Sequence, residues 1–447
     1  MDSKYPRGNK DPRRVTAAEA ISALRAGQRV ILGDGCGEPQ TLVEALLAER
    51  RRLQGLEIVN GFHVATPHAY AQPDPEGSAL RLNTWMAGPR DRQALAAGTA
   101  DYLPCHVSEY HELLREGRLP LDAVLLQVSP PDEEGYCSLG ITVACLLDAV
   151  ALAPLVIAEV NAQMPYVLGE ARLHLSQFDY LVEVSRPVLE MPLPKIGPAE
   201  EQVGKNVAQL IPDGATIQFG VGTIPEAVLR ALGERRELGI HSGMLSDGVV
   251  DLMERGAVTN GRKAIDPGVT VATCLLGTER LYRFAHRNPQ IALYPSSYTH
   301  NLRVIGQLRD FVSINAALQV DLTGQVNAES LGLRQISGVG GQADFVRGAH
   351  LCEGGRAITA LTATTPDGKA SRIVPVLPLG SAVTTPRHEV QYVVTEYGIA
   401  DLRGKNLTQR REALVAIAHP DFREQILQEH YELRSRQNEK GKMKNEK

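Results

Sequence analysis

Apolar residues along this chain gather in short runs, separated by glycine loops and one-faced helical stretches. Residues 215–219 form one such run, and it ends at Gly220-Val221-Gly222. Pro225 follows where a helix prefers its proline, in the first turn. Val228, Leu229 and Leu232 then recur at the spacing of a single helical face. A second short run, 238–241, ends at Ser242-Gly243-Met244. The pattern predicts strand, glycine loop, helix, strand. It brings two strand ends near each other, one carrying bare backbone amides and the other exposing a single position, 243.

The N-terminal half repeats this order. The pattern predicts a helix over 17–24, a strand over 28–32 and the loop Gly33-Asp34-Gly35-Cys36-Gly37. Glu38-Pro39 and a helix over 42–53 come next, then a strand over 56–59 that ends at Asn60-Gly61-Phe62. A second correspondence supports the repeat. Residues 127–140 read QVSPPDEEGYCSLG and residues 319–332 read QVDLTGQVNAESLG, sharing Gln-Val at one end and Ser-Leu-Gly at the other. The first matches lie about 185 residues apart and the second 192, so the copies keep their order. Two related α/β domains made by duplication are expected, over 15–193 and 197–427. The proline-rich stretch 186–200 forms the boundary, and a polar, frayed tail occupies 428–447.

Composition narrows the class. The 447 residues suffice for two domains, and 47 Lys plus Arg against 52 Asp plus Glu give no basic surplus for nucleic acid. The six cysteines are scattered without a C-x-x-C pair or metal-like spacing, which suits a reducing cytoplasm and no metal site. The most apolar region, 141–158, is interrupted by Asp148 and Pro154. It reads as a buried helix followed by a buried strand, not as a membrane span. The first fourteen residues are polar and basic, without the apolar core of a signal peptide. A cytoplasmic protein is the expectation.

Three features carry candidate chemistry. Gly220, Val221, Gly222, Thr223 and Ile224 stand at a strand-to-helix junction, where backbone amides suit a phosphate or a developing oxyanion. The same glycines also fit a tight turn that needs positive φ. Pro225 takes the place of a third glycine, so a dinucleotide fingerprint is not supported. The second feature is Ser337-Gly338-Val339-Gly340-Gly341-Gln342-Ala343, a backbone-rich loop open to phosphate or pantetheine, or simply a surface loop. The third is a pair of polar turns, Asn315 with Asp321 and Asn327, and Asp132 with Glu133 and Glu134. Such residues at strand ends usually satisfy their own turns. His106 and His111, five apart, share no helical face and read as surface or packing residues.

These motifs together resemble the acetyl-CoA hydrolase/transferase family, of the acetate and 4-hydroxybutyrate CoA-transferase kind. GDGCGEP, SPPDEEGYCSLG, NAQMPYVLG, IQFGVGTIPEAVL, HSGMLSDGVVDL, ISGVGGQADFVRGA and VTTPRHEVQYVVTEYGIADLRGK carry the resemblance over nearly the whole chain. It implies two duplicated CoA-transferase-like (NagB/RpiA) α/β domains, with the active site in the cleft between them. The loop Gly220–Ile224 would lie beside the CoA thioester. Gly338, Gly340, Gly341, Gln342 and Ala343 would hold CoA and help form an oxyanion hole, and Asn315 would stand near the reacting carbonyl. Coenzyme A would be a substrate and not a resident cofactor, short carboxylic acids would be the other partners, and a homo-oligomer is implied. In the family reaction a glutamate carboxylate attacks acyl-CoA to give a mixed anhydride. CoA thiolate returns to give a glutamyl-CoA thioester, and a second carboxylic acid collects the CoA.

At one position the resemblance breaks. The family glutamate follows His-Ser or His-Thr and precedes Met, and here that slot is Gly243, with His241, Ser242, Met244, Ser246 and Asp247-Gly248 in register. Glycine offers no nucleophile. Gly61, its counterpart in the first repeat, offers none either. Three readings stay open: another carboxylate projects into the same space, with Glu38 the first candidate though it also fits a helix cap; water attacks the thioester directly, as in a hydrolase; or the chain binds acyl-CoA without turning it over.

Overall fold

The computed structural model describes residues 11–445, apart from 62, 65–79, 89–90 and 193–194. Two predominantly parallel sheets dominate it. The first holds eight strands: β1 (Arg13–Arg14), β2 (Arg29–Leu32), β3 (Glu57–Asn60), β4 (Arg81–Thr84), β5 (Ala100–Tyr102), β6 (Ala123–Val128), β7 (Leu155–Asn161) and β8 (Tyr180–Val184). Their order is β1-β8-β7-β6-β2-β3-β4-β5, with every pairing parallel. The second holds β9 (Thr216–Phe219), β10 (Gly239–Ile240), β11 (Phe311–Ala316), β12 (Arg356–Ala360), β13 (Tyr392–Thr395) and β14 (Gly398–Asp401). Here the order is β10-β9-β11-β12-β13-β14, and only the last pair is antiparallel.

Superposing the orders makes the duplication physical. In each sheet the strand that feeds a G-x-G loop (β2, β9) is flanked on one side by the strand after the helix (β3, β10). On the other side lies β6 in the first sheet and β11 in the second. The Gln-Val…Ser-Leu-Gly correspondence does not carry over into the fold, because Gln127-Val128 end β6 whereas Gln319–Asp321 form a strand of a separate small sheet. Central strands read as continuous apolar runs because parallel sheets are covered on both faces. All six residues of β6 are buried accordingly.

Local signals set the helix ends. Helix α1 (Ala17–Ser22) begins with a capping box, in which Glu19 N–H donates to Thr16 Oγ1 at 3.3 Å and Thr16 N–H donates to Glu19 Oε2 at 2.8 Å. Helix α2 (Gln40–Ala48) stops short of the expected 53, where the polar run Glu49-Arg50-Arg51-Arg52 begins. Arg52 instead reaches back to Leu24 and Ile21 carbonyls at the end of α1 (2.6 and 3.0 Å), a favourable place for a cation. Helix α3 (Thr223–Ala231) follows β9 and buries Ile224, Val228 and Leu229, and helix α4 (Gln342–Leu351) follows the second glycine loop. The expected frayed tail is helical: α5 runs Arg423–Asn445. Side-chain pairs four apart, such as Gln425 to Glu429 at 2.8 Å, support it where a polar sequence buries little. The 141–158 region resolves into a helix, Leu146–Leu152, and β7, as the pattern predicts.

One continuous core joins the two halves, running from Val59, Val128 and Ile141 to Ile217, Leu275 and Ile314. Backbone crosses between them, with Val143 N–H donating to Thr273 O (2.9 Å) and Leu275 N–H to Ile141 O (2.8 Å). On the other side of the cleft Val107 N–H donates to Gly340 O (3.2 Å), and Ser108 Oγ to Asp344 Oδ1 (2.7 Å). No helix among the described residues is long and apolar enough to cross a membrane.

Candidate active site

A cavity of about 360 Å³ opens between the halves. Its wall takes Asp34, Gly35, Gly61, Trp85 and Met86 from the first half and Gly220, Val221, Gly243, His300 and Asn315 from the second. Gly338, Gly340, Gly341 and Gln342 close it from the glycine loop before α4. Both ends of the strand–loop–helix–strand unit therefore meet one space, together with the second glycine loop.

Gly222 caps α3 at φ 124°, a conformation that side chains resist, and a Cβ built on Gly220 meets no atom within 4 Å. The turn needs glycine at 222. At 220 the protein does not fill the space, so bare backbone faces the cavity. Gly222 lines a smaller adjoining cavity of about 270 Å³, shared with Gly220, Val221 and Glu226. Thr223 and Ile224 line neither cavity, and Ile224 packs into the core instead. Ala343 likewise faces inward from the first turn of α4.

Gly243 is held by its carbonyl, which accepts from Thr273 N–H (3.1 Å), Cys274 N–H (3.2 Å) and the Cys274 thiol (3.5 Å). Its φ lies outside the left-handed region. A Cβ there would stand 3.0 Å from His300 Nε2, 3.2 Å from His300 Cε1 and 3.5 Å from Phe345 Cε2. His300 is buried with Nδ1 hydrogen-bonded to Thr299 Oγ1 at 2.8 Å, so Nε2 is the ring nitrogen that faces position 243. Burial, with neighbouring His241, pulls the His300 pKa down to about 3, and the ring is neutral at physiological pH. Burial pushes the Cys274 thiol well up, so it stays protonated.

Asn315 sits in a polar ladder between strands: its Nδ2 donates to Ser313 Oγ (2.8 Å), and Gln218 Nε2 donates to Asn315 Oδ1 (3.4 Å). Gln218 also reaches the cavity wall. The other polar turns close on themselves. Asp321 accepts from Thr323 and Gln325 N–H, and Asp132 from Glu134 and Tyr136 N–H. Asn327 accepts from Glu329 and Ser330 N–H.

Glu38 is placed elsewhere. It is fully buried beneath the first glycine loop, its carbonyl accepting from Gln127 Nε2 at 3.0 Å, and it is absent from the cavity wall. Asp34, four residues earlier, is the first-half carboxylate on the wall. Burial pushes its pKa up to about 6, with His63 acting in the opposite direction. Sequence reasoning passed over Asp34, Arg92, Gln218 and His300. For Asp34 a signal existed, since it is the middle residue of the first G-x-G and so the counterpart of Val221 in the repeat.

The duplicated α/β fold thus brings two glycine loops to the wall of one cleft. The comparisons give the family. Residues 4–191 match the acetyl-CoA hydrolase/transferase N-terminal domain and residues 277–430 match its C-terminal domain. The chain belongs to the acetyl-CoA hydrolase/transferase family, and its relatives make it an enzyme of the CoA-transferase kind. It is 48% identical to a 4-hydroxybutyrate coenzyme A transferase of Clostridium kluyveri, over 93% of this chain and 96% of that one. It is 41% identical to a succinyl-CoA:cyclohexane-1-carboxylate CoA transferase of Geobacter metallireducens, over 91% and 92%. Among solved structures, RipA from Yersinia pestis superposes with a TM-score of 0.88 at 35% identity, covering 94% of this chain and 98% of that one. A 4-hydroxybutyrate CoA-transferase from Porphyromonas gingivalis gives 0.77 at 38% identity, with coverage of 95% and 98%.

Proposed function

We propose that this enzyme transfers coenzyme A between short-chain carboxylic acids, of the acetate and 4-hydroxybutyrate type. The observation that carries the reading is the convergence of both glycine loops and Asn315 on one cavity between the halves. CoA acts there as a substrate. Its arm runs along the Gly220–Gly222 backbone, through the adjoining cavity that shares Gly220 and Val221. The thioester carbonyl lies by Gly338–Gly341 and the α4 N-terminus, where amides stabilise the oxyanion that forms as the thioester is attacked. Each such donor supplies about 3 kcal/mol in a water-poor site. Neutral His300 and the Asn315 amide give the cavity hydrogen-bonding partners without fixed charge. Arg92, its Nε donating to Ile336 O at 2.7 Å, is the one Lys or Arg among the described wall residues and attracts the carboxylate substrate. Exchange of one carboxylate for another is nearly isoenergetic, so such an enzyme needs no external energy source and runs in either direction.

The test incubates the purified protein with a panel of short acyl-CoAs, with and without acetate, and measures new acyl-CoA separately from free thiol. Acetate-dependent acetyl-CoA is expected. Thiol release that ignores the acceptor, or tight binding with no product, would overturn the reading.

A further inference from the structure

The transfer reading needs a carboxylate that can reach the thioester, and position 243 has none. We propose that Asp34 is the carboxylate that carries CoA in this enzyme; the inference rests on the proposed function above.

Asp34 is the one Asp or Glu among the described residues of the main cavity wall. Its loop is fixed from behind, because Asp34 O accepts from Gly37 N–H (3.0 Å) and from Thr142 Oγ1 (3.0 Å). The carboxylate takes a hydrogen bond from its own backbone N–H, and no hydrogen bond from another described side chain reaches it. Space for it comes from Gly61, since a Cβ built there would overlap Asp34 Oδ2. Gly61 and Gly243 are counterparts in the two repeats, each closing the strand beside its glycine-loop strand. The Asp34 carboxylate thus occupies, in the first half, the place a side chain at the 243 counterpart would take. Asp34 lines the same cavity from the first half. Thr142, which holds the Asp34 loop, bridges to Cys274, whose thiol and N–H both donate to Gly243 O. The two places are therefore separated by a short run of backbone. Burial favours the protonated acid, so the anion that remains is poorly solvated and reactive, and near neutral pH most molecules carry it.

The chemistry balances without any further reactant. An Asp34 oxygen bonds to the acyl carbon, the carbon–sulfur bond breaks, and CoA leaves as thiolate, giving an aspartyl-acyl anhydride. The thiolate then attacks the aspartyl carbonyl carbon. The anhydride carbon–oxygen bond breaks, releasing the first acid as its carboxylate and leaving an aspartyl-CoA thioester. An acceptor carboxylate repeats both steps in reverse and restores Asp34.

Glu226 is the competing carboxylate. It lies in the adjoining cavity, accepting from Ser246 Oγ at 3.1 Å, on the path assigned to the CoA arm along Gly220–Gly222 and not at the Gly338–Gly341 loop assigned to the thioester carbonyl.

The experiment incubates the native protein with butyryl-CoA and no acceptor, then reduces it with borohydride and maps the digest by mass. An aspartyl thioester is reduced to homoserine, so the expected signal is homoserine at position 34. Asp34→Asn should lose the signal and slow transfer to acetate by about a hundredfold or more while keeping CoA affinity within about threefold. Retained affinity shows that this variant is folded, and mapping the native protein needs no variant at all. Reduction at Glu226, no reduction at all during active transfer, or an Asp34→Asn enzyme that transfers normally would overturn the assignment and leave the transfer function standing. Absence of transfer by the native protein with every short acyl-CoA would overturn both.

Discussion

Returning a carboxylate to position 243 is the most informative perturbation of the cavity. Gly243→Glu meets no backbone penalty, because φ there is not left-handed. The cost is packing. The new Cβ stands 3.0 Å from His300 Nε2 and 3.2 Å from Cε1, tighter than ordinary contact, so the ring must shift by a few tenths of an ångström. That ring is wedged against Phe345 at 4.6 Å between centroids, and overpacking of this kind costs about 1–3 kcal/mol. Part returns through hydrogen bonding in the tautomer that carries the proton on Nε2, which accepts at Nδ1 from Thr299 Oγ1 and donates from Nε2 to the new carboxylate. The clean assay uses the double variant Asp34→Asn/Gly243→Glu, in which a carboxylate at 243 is the sole one on the wall. We expect a borohydride-reducible CoA thioester on the peptide containing residue 243. Acyl-CoA:acetate transfer should rise at least tenfold above that of Asp34→Asn alone, about 1.4 kcal/mol of barrier. A folded double variant that binds CoA yet shows neither would mean that position 243 does not face the reacting carbonyl.

Other outcomes follow from the same geometry. Gly222→Val and Gly340→Val place a side chain at φ 124° and 55° beside the proposed CoA path, and each should weaken CoA binding tenfold or more by calorimetry. Gly61→Val should displace the Asp34 carboxylate, so transfer falls while CoA affinity holds. Glu38→Gln, altered beneath the loop and off the wall, should keep its transfer rate. Asp34 also predicts a pH signature. Its folded pKa of about 6 lies above an ordinary 3.8, so it favours folding below 3.8, and that contribution is lost as pH rises through 6. Asp34→Asn should therefore melt higher than the parent above pH 6, by at most about 3 kcal/mol (roughly two units at about 1.4 each) less solvent screening, and the gap should close below pH 4. The parent's transfer rate should climb over the same interval as the carboxylate forms.

Much of the fold was legible because duplication writes it twice. The G-x-G loops, their helices and the strands that follow fall at matching places in the two sheet orders, whereas the Gln-Val ends of the Gln-Val…Ser-Leu-Gly stretches do not. The tail misled because a polar sequence of strong helix formers buries little and still forms a helix. The site was half legible. Glycines at 220, 338, 340 and 341 announce themselves by spacing, whereas Ile224 and Ala343 belong to helix turns that face the core, and half-buried Thr223 lines neither cavity. Glu38 and Asp34 flank one loop, and nothing in their spacing says which lines the cleft; only the folded loop puts Asp34 on the wall and buries Glu38 away from it. His300 reaches position 243 from a turn 57 residues later, a tertiary contact with no local signature.

Oxygen accounting during turnover tests the central claim most directly. The native enzyme is run with butyryl-CoA and acetate in water enriched in heavy oxygen, and the released butyrate is analysed by mass. Transfer through a protein carboxylate gives butyrate its new oxygen from that carboxylate, so solvent label should be absent while acetyl-CoA accumulates. Butyrate that carries one solvent oxygen at every turnover would contradict the account and place water, not a carboxylate, at the thioester.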